Sequence, residues 1–401
     1  MNTPSKLALA AHPRTTERTA SPAIKSLSDR LQAATPERRE QELTEFWVRT
    51  AADTPLIEPA ADGTALTLLW RDAEAAAVLV TVNRVTNDLE SSTMQRVPGT
   101  DVWHASYLLE NDWRGSYTVL AADAAVLSTL RSMQPRAAMA HIRQHGVCDP
   151  RNRHSCLAHG HRLSSVAALP DAPAQRYFDP HAHPRGTSTE HVTATGRRVW
   201  SYLPAEATTS CPIVVVLDGD VWHAAQYAAT TVDALIDDGA IRAPLVLMVD
   251  PGPTAQRVAD LHVDGPMAEE IVREILPWAR SRFTVSENPA DVVVSGESLG
   301  ALTALKVAFD HPQSVGCAVS QSASLWQHDM LDRAANASQP VRIYLAVGTK
   351  ESVLLDPNRT LRESLRTTPH ELTYVEYNGG HDMACWRGGW AEGVRQMLAR
   401  S

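Results

Sequence analysis

The sequence lacks the features of nucleic-acid-binding, secreted and membrane-spanning proteins. Lysine and arginine number 37 against 46 acidic residues, so the net charge is −9 and no general basic surface is available for a polyanion. The five cysteines are odd in number and scattered, which favours a reducing compartment over a disulfide framework. No apolar run approaches the length of a membrane span, and the run at 7–11 is too short for a secretion signal. These absences predict a cytoplasmic protein with no nucleic-acid or membrane partner.

The chain is long for one hydrophobic core, because 401 residues exceed the size at which cores usually divide. Its 44% hydrophobic and 21% charged residues are those of an ordinary globular protein, and no internal repeat is visible. The changes of pattern predict a flexible or helical segment at 1–40, a β-sandwich domain at 41–146, a linker at 147–187 and a catalytic domain at 188–401.

The amino-terminal part changes pattern several times. Residues 1–25 are rich in Thr, Ser, Arg and Pro, which is typical of disorder, and residues 26–50 have helical character. Apolar residues then alternate, which predicts short antiparallel strands at 65–70, 77–82, 102–107 and 115–120. Residues 122–146 have a helical pattern, and the proline- and histidine-rich stretch 147–187 is interpreted as an irregular linker.

Beyond residue 190, strands and helices alternate, which predicts a mostly parallel sheet with helices on both faces. The predicted strands are 197–203, 213–217, 245–249, 291–295, 316–320, 342–346 and 372–376. The predicted helices are 224–237, 267–281 and 389–400. The fold class is therefore α/β, with an α/β-hydrolase domain preceded by a small antiparallel β-sandwich.

The chemistry centres on a Gly-x-Ser-x-Gly pentapeptide at 296–300. Three consecutive valines precede it as a buried strand, and an apolar run at helical spacing follows it. A strand, a sharp turn and a helix in this order form the nucleophile elbow of α/β-hydrolases, which holds the serine hydroxyl above the sheet. A bare pentapeptide arises by chance in roughly one chain in ten. The prediction that Ser298 is a nucleophile therefore depends on the flanking strand and helix.

A serine nucleophile needs a histidine base and an acid that orients it, and this fold places them in the order serine, acid, histidine. The histidines that follow Ser298 are His311, His328, His370 and His381. His381 comes after two glycines and the last predicted strand, so a sharp loop can bring it back over the sheet. Glu351 lies in the loop after strand 342–346, where catalytic groups gather in open α/β sheets. We predict His381 as the base and Glu351 as the acid, with Asp356 and Asp382 as alternative acids.

Two backbone N–H groups are predicted to stabilise an oxyanion. The Leu299 N–H stands at a helix N-terminus directly after Ser298. The second N–H comes from a loop after an earlier strand in this fold. The segment Leu-Asp-Gly-Asp-Val-Trp at 217–222 has a flexible Gly219 in such a loop, so the Asp220 N–H is the candidate. The alternative is a plain Asp-Gly turn.

At these residues the sequence resembles the ferric-enterobactin (enterochelin) esterases, over most of its length. The matching motifs lie at 94–96, 99–103, 111–117, 217–222, 296–300, 320–322 and 379–389. The resemblance implies a β-sandwich followed by an α/β-hydrolase domain, and cytoplasmic cleavage of a trilactone siderophore, a small-molecule substrate. It implies catalytic roles for Ser298 and His381 and an acid at Glu351, with no cofactor, because iron enters only as part of the substrate. The sequence departs from the family pattern in the elbow, where Glu297 and Leu299 replace the more usual Gln and Phe. The stretch 148–161 also matches no motif of the family.

Two alternatives remain beside a siderophore esterase. Antigen-85-type mycolyltransferases and general carboxylesterases of the esterase-D type have a similar hydrolase domain; the former lack the sandwich and usually carry a secretion signal. The second alternative is a siderophore-binding protein whose hydrolase fold is catalytically silent. The complete order of serine, acid and histidine argues against silence.

A dense group of sulfur and nitrogen ligands in the linker raises the question of a metal site. The group consists of Cys148, His154, Cys156, His159 and His161. Its spacing fits no standard zinc pattern, so we predict no metal site.

Four residues near the predicted loops are candidates for binding the substrate. Arg257 follows strand 245–249 and Arg387 lies six residues after His381, so both could hold an anion or be solvated surface charges. Trp222 and Trp386 flank the predicted pocket loops, although tryptophans are more often core residues.

Overall fold

The structure is a computed structural model that describes residues 16–51, 54–158 and 160–399. The strands are β1 (Leu56–Ala60), β2 (Gly63–Arg71), β3 (Ala77–Val82), β4 (Gln95–Arg96), β5 (Val102–Leu109), β6 (Arg114–Ala122), β7 (Ser155–Ala158), β8 (Arg162–Ala168), β9 (Thr187–Val192), β10 (Arg198–Leu203), β11 (Ile213–Val216), β12 (Leu245–Val249), β13 (Val292–Glu297), β14 (Cys317–Gln321), β15 (Arg342–Gly348) and β16 (Glu371–Tyr377). The helices are α1 (Pro22–Ala33), α2 (Pro36–Thr50), α3 (Leu89–Ser92), α4 (Ala124–Ser132), α5 (Pro135–His145), α6 (Gly219–Ala224), α7 (Tyr227–Asp237), α8 (Thr254–Asp260), α9 (Met267–Glu270), α10 (Leu276–Arg282), α11 (Leu299–Asp310), α12 (Leu331–Asn336), α13 (Ser352–Leu365) and α14 (Met383–Met397). A π-helical turn, Ile271–Ile275, joins α9 to α10, and a 3-10 turn, Pro289–Asp291, precedes β13.

Two four-stranded antiparallel sheets form the sandwich, with strand orders β1-β2-β5-β4 and β3-β6-β8-β7. Both sheets contribute to one core, which contains Leu66 and Tyr107 from the first sheet and Val80 and Tyr117 from the second. The predicted strands between 65 and 120 are confirmed as β2, β3, β5 and β6. The periodicity succeeded here because each of these strands buries apolar side chains in the core between the sheets.

The stretch at 147–187 is not simply the irregular linker that its prolines and histidines predicted. It contains the hairpin β7–β8, and β8 pairs with β6 from Arg114↔Ala168 to Tyr117↔Ser165. The short, polar strand sequences Ser-Cys-Leu-Ala and Arg-Leu-Ser-Ser-Val-Ala-Ala carry too few alternating apolar residues for their period to stand out. The parts at 148–154 and 169–186 have neither strand nor helix, and Val147 forms an isolated bridge with Val119. The division of the chain into domains stays a prediction.

The helices α1 and α2 cover the outer face of the first sheet. Leu27 of α1 and Phe46 of α2 share a buried cluster with Leu69 of β2 and Val102 of β5. Because α2 runs through position 40, the predicted boundary between 40 and 41 falls inside a helix. The first 15 residues of the segment predicted as disordered lie outside the described residues.

The carboxy-terminal domain has the α/β-hydrolase architecture, built on an eight-stranded sheet with the order β16-β15-β14-β13-β11-β12-β10-β9. The strands from β11 to β16 are parallel, whereas β9 and β10 run antiparallel. One face packs against α9 to α13 and the other against α6, α7 and α14. The loops after β11, β13, β14, β15 and β16 therefore meet at one edge of the sheet, where this fold binds its ligands. Among the described residues, no helix combines the length and apolarity needed to cross a bilayer.

The sandwich packs directly onto that edge. The Asn83 side chain donates to the backbone oxygen of His381 at 2.9 Å, and the Ser116 N–H donates to Asp382 Oδ2 at 2.5 Å. Arg114 N–H donates to Asn378 O at 3.0 Å. The loop after β16 is thus held by the turn after β3 and by β6 of the sandwich.

Asp382 joins the sandwich to α14. Its Oδ2 accepts from Ser116, and its other oxygen caps α14 by accepting from the Ala384 N–H at 2.9 Å. We expect Asp382→Ala to lower the free energy of unfolding by about 2–3 kcal/mol, since it removes a helix cap and leaves a buried N–H unpaired. Urea denaturation measures this loss. The exposed Asp356, replaced by Ala, is the matched control and should change stability by less than about 0.5 kcal/mol. Equal, small effects of the two changes would contradict this account of the junction.

Candidate active site

The pentapeptide at 296–300 adopts the strand, turn and helix geometry expected of an elbow. Ser298 lies between β13 and α11 with φ 59° and ψ −114°, a conformation that side-chain-bearing residues rarely adopt. A Cβ on Gly296 would stand 2.5 Å from the carbonyl carbon of Gly300, so the turn cannot close without glycine at 296. The tight turn brings Ser298 to the edge of the sheet where the loops converge.

His381 and Glu351 form a buried hydrogen-bonded pair at the same edge. His381 Nδ1 lies 2.6 Å from Glu351 Oε2. The Glu351 side chain is fully buried, whereas that of His381 is 27% exposed. The indole of Trp386 meets the imidazole edge-on, with the ring centroids 4.6 Å apart. The imidazole is therefore fixed in orientation by a carboxylate and an aromatic ring.

Glu351 remains a carboxylate because its hydrogen bonds outweigh its burial. Burial alone would raise its pKa, but donation from His381, Ser322 and the Gly348 N–H gives a net lowering of the pKa. Ser322 Oγ lies 2.6 Å and the Gly348 nitrogen 2.9 Å from Oε1, while Oε2 faces the imidazole. An anionic Glu351 can stabilise a protonated His381.

The alternative acids do not contact His381. Asp356 has a side chain that is 84% exposed on α13. Asp382 directs both oxygens to backbone N–H groups of β6 and α14. The other candidate bases are engaged elsewhere: His311 with Glu269, His328 with the Met330 N–H, and His370 with Val341 N and Ala334 O.

The loop after β14 connects the serine to the histidine pair. Ser298 N–H donates to Gln321 O at 3.0 Å, and Ser298 Oγ lies 3.3 Å from Ser324 Oγ. Ser322 of the same loop contacts both Glu351 and the Trp386 indole N–H. Within the described part of the chain, the Ser298 hydroxyl bonds to Ser324 and not to His381. Such contacts are often loose without substrate and tighten in the complex.

The two predicted oxyanion N–H groups lie on adjoining elements. Leu299 is the first residue of α11, so its N–H has no acceptor within the helix. The loop after β11 packs against this first turn, because a Cβ on Gly300 would stand 3.3 Å from Leu217 Cβ and 3.6 Å from Asp218 Oδ2. Asp220 belongs to the same loop, as the second residue of α6.

Arg257 holds this loop through an ion pair with Asp218. Its guanidinium pairs with both oxygens of the buried Asp218, with Nε–Oδ1 at 2.5 Å and Nη2–Oδ2 at 2.7 Å. The position of Arg257 in the loop suggested anion binding, but its charge is already satisfied by an internal carboxylate. Arg257 therefore holds the loop after β11 in place, and substrate binding by Arg257 stays a prediction.

Glu297 adds a second buried carboxyl to that ion pair. Burial and, after it, repulsion from Asp218 raise its pKa to about 8, and this rise is partly offset by Trp222, Arg257 and Gln321. The indole N–H of Trp222 and the amide of Gln321 both reach Glu297 at 3.4 Å. Near neutral pH, Glu297 is therefore largely an uncharged acid.

This environment predicts a pH-dependent stability. Glu297 has a raised pKa in the folded chain, so its protonated form stabilises the fold at low pH. This stabilisation is lost as pH rises from about 4.5 through about 8. The Glu297→Gln protein should not lose stability in this way. The difference in free energy of unfolding between this variant and the parent protein should therefore grow by up to about 1.4 kcal/mol per pH unit in that window. Denaturant unfolding at pH 5, 6.5 and 8 measures the difference. A constant difference, like that expected for the exposed control Glu287→Gln, would contradict the assignment.

Comparison with known proteins supports one family. A family model described as "Putative esterase" matches residues 191–397, more than half of the chain, and the model "Enterochelin esterase, N-terminal" matches residues 65–178. The chain belongs to the enterochelin esterase family.

Relatives of this family match along nearly their whole length. An iron(III) enterobactin esterase of Dickeya dadantii is 29% identical, with 88% of this chain and 92% of the relative aligned. An iron(III) salmochelin esterase of Escherichia coli O6:H1 is 28% identical, over 88% of this chain and 93% of that protein. The crystal structure of a ferric enterobactin esterase from Salmonella typhimurium superposes with a TM-score of 0.75 at 26% identity, covering 88% of this chain and 98% of that one.

Two further residues predicted to bind substrate are buried in the structure. Arg387 is only 5% exposed, donates to Gln175 and to Ser155 O, and stacks on Phe178 with 3.6 Å between Cζ and the ring centroid. Trp222 is fully buried in the core and tilted against Trp390 at 4.8 Å. Substrate binding by these two residues stays a prediction.

Trp386 has the position that the sequence predicted, close to the proposed base. It supports the His381 ring and lines a cavity of about 480 Å³. Three arginines that the sequence analysis did not single out line the same cavity: Arg84, Arg143 and Arg162. They come from separate parts of the sandwich domain, so no local motif could have indicated that they meet.

The cysteine and histidine stretch does not form a metal centre in the described part of the chain. No group of three or more His, Cys, Asp or Glu side chains is placed there to hold an ion. Cys156 is buried, and His161 Nε2 lies 3.1 Å from Asp220 Oδ2. His159 lies outside the described residues.

Proposed function

We propose that this protein is a serine esterase that hydrolyses the ester bonds of an enterobactin-type catecholate siderophore and so releases iron inside the cell. The observation that carries the proposal is the buried Glu351–His381 pair beside a serine elbow at the carboxyl edge of the sheet. The substrate class is supported by the relatives, which are iron(III) enterobactin and iron(III) salmochelin esterases. The cytoplasmic location is part of the proposal.

The proposed reaction proceeds through an acyl-enzyme. Ser298 Oγ attacks the ester carbonyl while His381 Nε2 accepts the hydroxyl proton, so the carbonyl oxygen becomes an oxyanion. The N–H groups of Leu299 and Asp220 stabilise that oxyanion. The imidazolium then returns its proton to the leaving alkoxide, and the ester C–O bond breaks.

Water completes the cycle by the reverse sequence of proton transfers. His381 deprotonates a water molecule that attacks the acyl-enzyme, and the proton passes to Ser298 Oγ as the free acid leaves. Glu351 keeps its negative charge throughout and stabilises the imidazolium, because its pKa is lowered by hydrogen bonds from His381, Ser322 and Gly348. Each cycle consumes one water and cuts one ester.

The proposal predicts graded losses of turnover. Ser298→Ala and His381→Ala should each reduce kcat by about 10⁴–10⁶, because members of a triad act as a unit. Glu351→Gln should cost about 10²–10⁴, because the neutral amide no longer stabilises the imidazolium. The Asp356→Asn protein, which changes the exposed alternative acid, is the control and should keep nearly full turnover.

Mass spectrometry of the products tests the function itself. The purified protein is incubated with iron-loaded trilactone siderophores built on serine or threonine, and with a linear catecholate ester. We expect hydrolysed fragments from the parent protein and intact substrate with Ser298→Ala. Near-normal hydrolysis by Ser298→Ala, or none by the parent protein, would refute the proposal.

A further inference from the structure

We propose that the sandwich domain supplies the anion-binding site of this enzyme, formed by Arg84, Arg143 and Arg162 in the cavity that His381 also lines. This inference rests on the proposed function and deepens it, because it assigns recognition of the iron-loaded siderophore to residues outside the hydrolase domain. The ligand chemistry it specifies is a compact polyanion, a ferric tris-catecholate.

The three arginines come from different elements and converge on one cavity. Arg84 lies in the turn after β3, Arg143 in the last turn of α5, and Arg162 is the first residue of β8. The Arg162 guanidinium donates to the backbone oxygen of Arg143. The cavity of about 480 Å³ is within the range of small-molecule sites.

The positive charge of the three arginines exceeds the negative charge of the carboxylate that lines this cavity. Among the described residues, Arg84, Arg143 and Arg162 form no ion pair with aspartate or glutamate. Asp382 is the acidic residue of the lining, and both of its oxygens accept backbone N–H groups. Burial and, after it, repulsion from Arg84 lower the pKa of Arg143. A chain with a net charge of −9 thus concentrates uncompensated positive charge beside His381.

Arg84 packs against the loop that carries His381. Arg84 has a left-handed backbone with φ 59°, and its side-chain stem lies against Gly380. A Cβ on Gly380 would overlap Arg84 Cγ and Asn83 Oδ1. Because Gly380 precedes His381 and Asn83 donates to the His381 carbonyl oxygen, the arginine and the proposed base are held in one fixed arrangement.

The chemistry of the ligand matches this cluster. A ferric tris-catecholate carries three negative charges, which must be attracted against the negative charge of the whole protein. Guanidinium groups are permanently charged, hydrogen-bond catecholate oxygens and stack on aromatic rings. The metal-free siderophore carries less negative charge near pH 7, because most of its catechol hydroxyls are protonated, so it should gain less from the same arginines.

Binding measured in the Ser298→Ala protein isolates recognition from turnover. Ferric enterobactin and metal-free enterobactin are titrated at pH 7, with quenching of tryptophan fluorescence as the readout, since Trp386 lines the cavity. We expect Arg84→Gln, Arg143→Gln and Arg162→Gln each to raise the Kd of the ferric form by about tenfold. The Kd of the metal-free form should change less than threefold. Arg84→Lys should restore part of the affinity, because the charge is retained.

The control is Arg136→Gln, which removes an exposed arginine of α5 that does not line the cavity. It should leave both Kd values unchanged. Equal losses for ferric and metal-free ligands, no loss for either, or an equal loss with Arg136→Gln would overturn the anion site. Hydrolysis of p-nitrophenyl butyrate, measured in proteins that retain Ser298, distinguishes failure of the anion site from failure of the proposed esterase function. That activity should survive the control change Arg136→Gln, and its absence in the parent protein would instead refute the esterase assignment.

Discussion

The constraint on which the site depends is a carboxylate held away from water. Glu351 is fully buried, and an isolated anion there would be strongly unfavourable. It is stabilised by donors from the ends of neighbouring strands, including the N–H of Gly348, the last residue of β15, and the hydroxyl of Ser322, the first residue after β14. Gly348 must be glycine, because a Cβ would stand 2.5 Å from Gly379 O. The loops that satisfy Glu351 are therefore the same loops that position His381.

The sandwich domain belongs to the active site as much as to the fold. His381 is flanked by two contacts with it, since Asn83 holds its carbonyl oxygen and Ser116 holds the next residue, Asp382. The hairpin β7–β8 contacts the loop after β11 through the pairing of His161 with Asp220. A loop with two consecutive glycines would be mobile if it were isolated. The contacts with the sandwich restrain this loop, although its two glycines would otherwise make it mobile.

The sequence predicted those parts of the protein that are local, or ordered along the chain. The strand periodicity gave the fold class, and the order of serine, acid and histidine selected the residues that now meet at the sheet edge. The predicted start of the last helix at 389 was wrong, because the helix begins at Met383. Trp386 and Arg387 are therefore adjacent helix residues that point about 100° apart. Trp386 faces the cavity and Arg387 faces Phe178. Arg84, Arg143 and Arg162 could not be predicted together, because only the tertiary packing of three separate elements brings them to one cavity.

The claim that Ser298 is activated by the Glu351–His381 pair is tested most directly by covalent labelling with a fluorophosphonate. Intact-mass spectrometry followed by peptide mapping identifies the modified residue and its rate of modification. We expect one adduct, on Ser298, that forms on the order of 10²-fold or more slowly in the Glu351→Gln protein. No adduct on the parent protein would indicate a catalytically silent fold, and an adduct on another residue, or equal rates in the two proteins, would contradict the account.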